Sequence, residues 1–176
     1  MRLLILSNGH GEDFIAARVG EALRARLPWL TVEAFPLVGL GAQLERAGLA
    51  VSGPRRRLPS DGFTMHHPRL IWQDVRAGLL GLTLAQARHL RRARPDAVFV
   101  VGDVYAQLHA SLVRAPRRVL QPLVSVHHMQ AGQGSRSPLR FFMESYRGPE
   151  LLLLRRAQKV YTRDAATAAY LASPGV

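Results

Sequence analysis

Cysteine is absent from the 176-residue chain, and lysine occurs once, at Lys159. Without thiols there are no disulfides and no thiolate metal sites, and a reducing compartment is favoured. Acids are scarce, with 12 Asp and Glu against 24 Lys and Arg, for a formal charge of +12. Long apolar runs are missing too. Leu151 to Leu154 is the longest leucine run, far short of a membrane span. The four apolar residues after Met1-Arg2 are too few for the core of a signal peptide. No internal repeat or low-complexity tract is present. A genome bias explains arginine in place of lysine but not the net excess of base. That excess points to an anionic partner: nucleic acid, a phosphorylated substrate or an anionic membrane surface.

What remains is a chain that is 48% hydrophobic and long enough for one sizeable core. Apolar runs alternate with helical patterns. Leu3 to Leu6 reads as a buried strand. Asp13 to Leu27 reads as a helix, with Ile15, Val19, Leu23 and Leu27 on one face and Pro28 ending it. Thr31 to Phe35 is a second strand, Ala42 to Ala47 a short helix, and Leu49 to Ser52 a short third strand. After a loop rich in Pro, Gly and Arg, Arg69 to Ala93 reads as one long amphipathic helix. Ala97 to Val101 (AVFVV) is β-branched and apolar on both faces, the pattern of a central parallel strand. A helix over Val104 to Val113, a strand over Arg118 to Val126 and helix over Leu139 to Arg156 follow. Lys159 to Thr162 is the last strand and Asp164 to Ala172 the last helix. The alternation predicts an α/β fold, a doubly wound parallel sheet of about six strands with helices on both faces.

Ligands of such sheets bind beyond the carboxyl ends of the strands, and polar residues gather there. Ser7-Asn8-Gly9-His10-Gly11-Glu12-Asp13 closes the first strand. Gly9 and Gly11 suit a sharp turn with positive φ and a close ligand approach. Free N–H groups at the helix start favour an anion or polar oxygens. His10 can donate to a phosphate or accept a proton. The plain alternative is a capped turn, with Ser7 or Asn8 as cap. Phe14 stands where a dinucleotide fingerprint needs its third glycine, and no Gly-Lys-Ser/Thr follows, so neither nucleotide motif is present. Two acids, Glu12 and Asp13, suit sugar hydroxyls better than a pyrophosphate. Gly102-Asp103-Val104-Tyr105 ends the central strand, where Asp103 is either a general base or an ordinary helix cap. Ser125-Val126-His127-His128 lies past another strand. Adjacent histidines on an extended chain diverge, so neither this pair nor His66-His67 chelates one metal, and no metal motif is present. Arg163 could hold a phosphate, or Arg163-Asp164 could cap a helix. The stretch containing Arg140, Phe141, Phe142 and Arg147 suits either a membrane-surface contact or a buried helix with an arginine rim.

With these residues assembled, the sequence resembles the amino-terminal half of a GT-B glycosyltransferase, and more closely proteins related to lipid-A-disaccharide synthase. The resemblance is carried by Ser7 to Asp13 with Ala16-Ala17, Pro36-Leu37-Val38-Gly39 with Gly48 and Gly53-Pro54, Pro95-Asp96 through Gly102-Asp103, and Arg163-Asp164-Ala165 with Thr167-Ala168. It implies a Rossmann-like domain that receives the acceptor and faces a second domain holding the sugar nucleotide. The synthase transfers an acylated glucosamine from UDP to a monosaccharide lipid at the cytoplasmic face of the membrane. By the resemblance, Asp103 matches an acidic position after the central strand, with Glu12 and His10 as further candidates for the base. Ser7, Asn8, Gly9, Gly11, Asp13, Gly102, Tyr105, His127 and His128 would line the acceptor. Phe141, Phe142, Arg140 and Arg147 would touch the membrane, and no cofactor or metal is expected. The order Gly-His-Gly-Glu-Asp differs from the Gly-Glu-x-Ser-Gly-Asp of the synthase, and only one of its two aspartates after the central strand is present. Residues 1–176 are expected to be one acceptor-binding domain without the nucleotide-sugar domain, inactive alone, and either part of a longer protein or a lone half with another role. A cytoplasmic location, peripheral on the inner membrane face, is implied. The competing readings are a nucleic-acid module, supported by Arg55-Arg56-Arg57 and Arg91-Arg92 but lacking an aromatic-basic motif, and a sugar-nucleotide epimerase of the same architecture.

Overall fold

The computed structural model describes residues 1–59, 68–123, 125–127, 148–173 and 175–176. Six parallel strands form one sheet in the order β3-β2-β1-β4-β5-β6. They are β1 (Arg2–Ser7), β2 (Thr31–Pro36), β3 (Ala50–Val51), β4 (Ala97–Val101), β5 (Arg117–Gln121) and β6 (Lys159–Thr162). The helices are α1 (His10–Arg26), α2 (Ala42–Arg46), α3 (Pro68–Arg76), α4 (Leu79–Arg92), α5 (Val104–Ala110), α6 (Gly148–Arg155) and α7 (Ala165–Ala172). The doubly wound α/β architecture read from the β–α alternation is the one observed. None of the described helices is long and apolar enough to cross a membrane.

Side chains alternate across a strand, and that alternation builds two cores. Leu4 and Leu6 of β1 join Val98 and Val100 of β4 on one face, under Leu90 of α4, Ala106 and Ala110 of α5, Leu154 of α6 and Leu171 of α7. Leu3 and Ile5 join Ala34 and Val101 on the other, under Ala16 and Ala17 of α1 and Leu44 of α2. Strands buried on both faces must be apolar throughout, which is why β1 and β4 read as continuous runs. Ile15, Val19, Leu23 and Leu27 pack against the second core as their spacing predicts.

The chain winds one way from β1 to β3 and the other way from β4 to β6, so the reversal falls between β1 and β4. These two strands are hydrogen-bonded neighbours, with Ser7 in register with Val101. Their carboxyl ends therefore emerge side by side, at the position where open parallel sheets place ligands.

The structure corrects several boundaries. Helix α1 starts at His10 rather than Asp13, because Gly9 C=O already accepts the Asp13 N–H at 2.6 Å. Strand β5 stops at Gln121 rather than Val126; Pro122 follows, and it has no N–H to continue a ladder. Helix α5 ends at Ala110 rather than Val113. The long helix expected over Arg69 to Ala93 is two helices. Gly78, at φ 97°, breaks the run while the apolar period continues through it. A Cβ there would also lie 2.5 Å from Arg56 Nη1, which donates to Ala77 C=O at 2.9 Å.

Replacing Gly78 by alanine therefore forces a left-handed alanine and displaces Arg56. A loss of about 1–3 kcal/mol is expected, read as a lower urea midpoint at unchanged slope.

Candidate functional site

Asp103 stands at the head of α5, immediately past β4, with extended backbone. Its Oδ1 accepts from the Tyr105 N–H at 2.9 Å, so it is the helix cap that its position permitted. It also accepts from Asn8 Nδ2 at 2.9 Å, and Asn8 belongs to the turn after β1. One carboxylate thus joins the two turns that flank the reversal of strand order. Asn8 Oδ1 is buried and has no donor among the described residues.

Gly102 makes this approach possible. Its φ is 149°, and a Cβ on it would sit 2.9 Å from the Asn8 Cβ and 3.0 Å from the Ala106 Cβ. Any side chain here would push the two turns apart.

Not all of the first turn faces outward. Ser7 and Asp13 are both buried, and Ser7 Oγ donates to Asp13 Oδ1 at 2.5 Å. This pair locks the strand end to the first turn of α1. Gly9 is the N-cap residue, and no side chain caps the helix, so neither Ser7 nor Asn8 serves as the expected cap. Gly11 lies inside α1 and does not have the positive φ expected of it. His10 is the first helical residue, and its side chain lies outside the described part. Glu12 is half-buried, with its Oε2 3.8 Å from where a Gly9 Cβ would be. Burial pushes its carboxyl above the ordinary range, and the nearby Asp103 charge adds to the effect. Asp103 is raised as well, chiefly by burial, against the opposing pull of its backbone hydrogen bonds.

Tyr105 is committed elsewhere. Its hydroxyl shares a 3.2 Å hydrogen bond with Thr83 of α4, and its ring lies 4.4 Å from that of His109. His127 is exposed on a helical turn rather than on an extended chain. His128, His66, His67, Arg140, Phe141, Phe142 and Arg147 lie outside the described residues. The 125–127 segment is tied to α7: Ser125 Oγ donates to Asp164 Oδ2 at 2.9 Å, and Thr167 Oγ1 accepts from the Val126 N–H at 3.0 Å. Asp164 caps α7 through the Thr167 N–H at 2.7 Å, and hydrogen bonds from Thr167 hold its carboxyl below the usual range. Helix capping is therefore the role the structure gives this aspartate. No group of three or more potential metal ligands occurs among the described residues.

A third carboxyl, unsuspected from sequence, belongs to the same end of the sheet. Glu150 in the first turn of α6 is only 8% exposed. Its Oε1 accepts from Gln121 Nε2 at 2.6 Å and from Gln107 Nε2 at 3.3 Å. Burial, with the Asp103 charge adding to it, pushes its carboxyl up to about 7. The available signal was a single acid directly preceding Leu151 to Leu154, a place where burial of the helix carries the acid inward.

No family model and no curated protein sequence matches the chain. Solved structures do. A UGT89C1 from Arabidopsis thaliana complexed with UDP aligns at TM-score 0.51 and 11% identity, over 97% of this chain and 47% of that one. The glycotransferase of kitacinnamycin aligns at 0.50 and 14%, over 99% and 41%. MurG of Acinetobacter baumannii aligns at 0.49 and 16%, over 92% and 40%. In fold, the chain is a Rossmann-like parallel sheet similar to about half of a GT-B chain. It spans less than half the length of each of these structures.

The Glu150 carboxyl fixes a sign for pH dependence. Its ordinary value is 4.5 and its folded value about 7, so the folded state binds the extra proton between them. Stability from the neutral carboxyl is then complete below about 4.5 and lost as pH rises towards 7, by at most about 3 kcal/mol. Asp103 and Glu12 act in the same direction. Urea midpoints should fall across this window, and Glu150→Gln, which keeps the acceptor oxygen, should flatten the slope.

Proposed function

We propose that the chain is the acceptor-binding half of a glycosyltransferase, which transfers a sugar from a nucleotide-sugar donor to a hydroxyl of a glycolipid-type acceptor. The lipid-linked sugars handled by relatives of lipid-A-disaccharide synthase are the acceptor class in view. The observation that carries the reading is the 2.9 Å bond from Asn8 to Asp103, made across the point where strand order reverses in a GT-B half. A hydroxyl approaching this edge meets a carboxylate that can take its proton. Asn8 Oδ1, which lacks a donor among the described residues, is an acceptor suited to a neighbouring sugar hydroxyl.

The electrostatics support a base. A carboxylate raised above its ordinary range is a stronger proton acceptor, and a base works best when its pKa approaches the working pH. Burial supplies that rise at Asp103, while backbone N–H groups, that of Tyr105 first, pull the other way. The nucleotide sugar would be held by a second domain facing this edge, and transfer would need both. Two of the arginines that suggest a nucleic-acid surface have internal partners: Arg55 bonds Glu45 and the Leu40 C=O, and Arg56 bonds the Ala77 C=O.

Asp103→Asn in the full-length protein tests the base. Asparagine is an equally good helix cap, so the urea midpoint should hardly move. Transfer to lipid-linked acceptors, assayed with a panel of nucleotide sugars, should fall by about 100-fold or more. Undiminished transfer removes Asp103 from the chemistry.

A further inference from the structure

Glu150, Gln107 and Gln121 form a polar cluster beside the proposed site. It lies where α6 packs on α5 and on the end of β5. Gln107 is 2% exposed, Gln121 0% and Glu150 8%. Buried polar groups of this kind are costly unless satisfied. Both amide donors converge on Glu150 Oε1. Gln107 Oε1, in the same cluster, is buried with no donor among the described residues. A neutral carboxyl carries an O–H group; an ionised one carries only acceptors. The cluster is short of a donor, and the neutral form of Glu150 brings one.

The geometry points to Glu150 as a positioning residue for Asp103: a carboxyl that retains its proton behind the α5 turn, so that the single negative charge of the pair rests on Asp103. Gln107 is the mechanical link, since it lies one helical turn past Asp103. Its N–H donates to the Asp103 C=O at 3.1 Å, and its side chain reaches Glu150. Two carboxyls that sense one another divide their protons unequally when their surroundings differ. Asp103 has a backbone N–H and an amide donor and sits at the rim. Glu150 lies deeper, and burial raises it further. Among the described residues, the other titratable groups on these three elements are Tyr105 and His109 of α5, Arg117 and Arg118 of β5 and Arg155 in the last turn of α6. Burial lowers the His109 imidazole from its ordinary value, and Asp103 is the group whose charge acts on Glu150.

The inference builds on Asp103 as the acceptor-side base, but its test needs no substrate. Side-chain carboxyl 13C shifts of the intact chain are followed against pH. The Glu150 signal should titrate near 7 rather than near 4.5, and the Asp103 curve should carry a second inflection where Glu150 ionises. Glu150→Gln should abolish that inflection. A Glu150 signal titrating near its ordinary value, or an Asp103 curve identical in both proteins, overturns the inference. If Glu150→Gln does not fold, the unmodified chain decides: an Asp103 curve with a single inflection overturns it. Either failure leaves the base itself to be judged by the transfer assay.

Discussion

The structure depends on how closely two chain turns can approach at the ends of β1 and β4. These strands are adjacent, and the chain leaves them in opposite directions, so a gap opens between the turns. The Asn8 to Asp103 bond crosses that gap. It forms only because residue 102 has no side chain, with Asn8 and Ala106 occupying the space a Cβ would take. Backbone sterics therefore come before electrostatics here. The carboxylate is delivered to the edge by a glycine, and its chemistry follows from where it was delivered.

Once delivered, Asp103 is subject to two opposing influences. Helix α5 offers it backbone N–H groups, which favour charge, and burial disfavours charge. The surrounding acids are differently placed: Asp13 is bonded to Ser7, Glu12 is half-buried at the rim, and Glu150 lies between two glutamines. Ion pairs at the surface of the described residues include Arg2 with Glu33, Arg18 with Glu21 and Arg55 with Glu45.

The layered fold was legible because burial on both faces leaves a plain mark: AVFVV can be little else than a central strand, and it lies between β1 and β5. Apolar period placed α1 correctly on the sheet. It failed at residues 77–78, because a glycine in the left-handed region interrupts a helix without interrupting the apolar pattern. It failed again after Gln121, where a proline stops the ladder in the middle of an apolar run. Asp103 and Asn8 could each be picked out from their places after β4 and β1, but the bond between them could not, since it joins residues 95 apart. Glu150, Gln107 and Gln121 were invisible for the same reason: each is an ordinary polar residue until three separate elements bring them together.

The tie between the 125–127 segment and α7 has a mechanical consequence. Ser125 and Val126 are fastened to Asp164 and Thr167 by hydrogen bonds of 2.9 and 3.0 Å, and Leu171 anchors the far turn of α7 in the core. The final helix and the 125–127 segment are thus fastened into one piece, with His127 exposed at the end of it. Whatever tilts that helix swings the histidine with it.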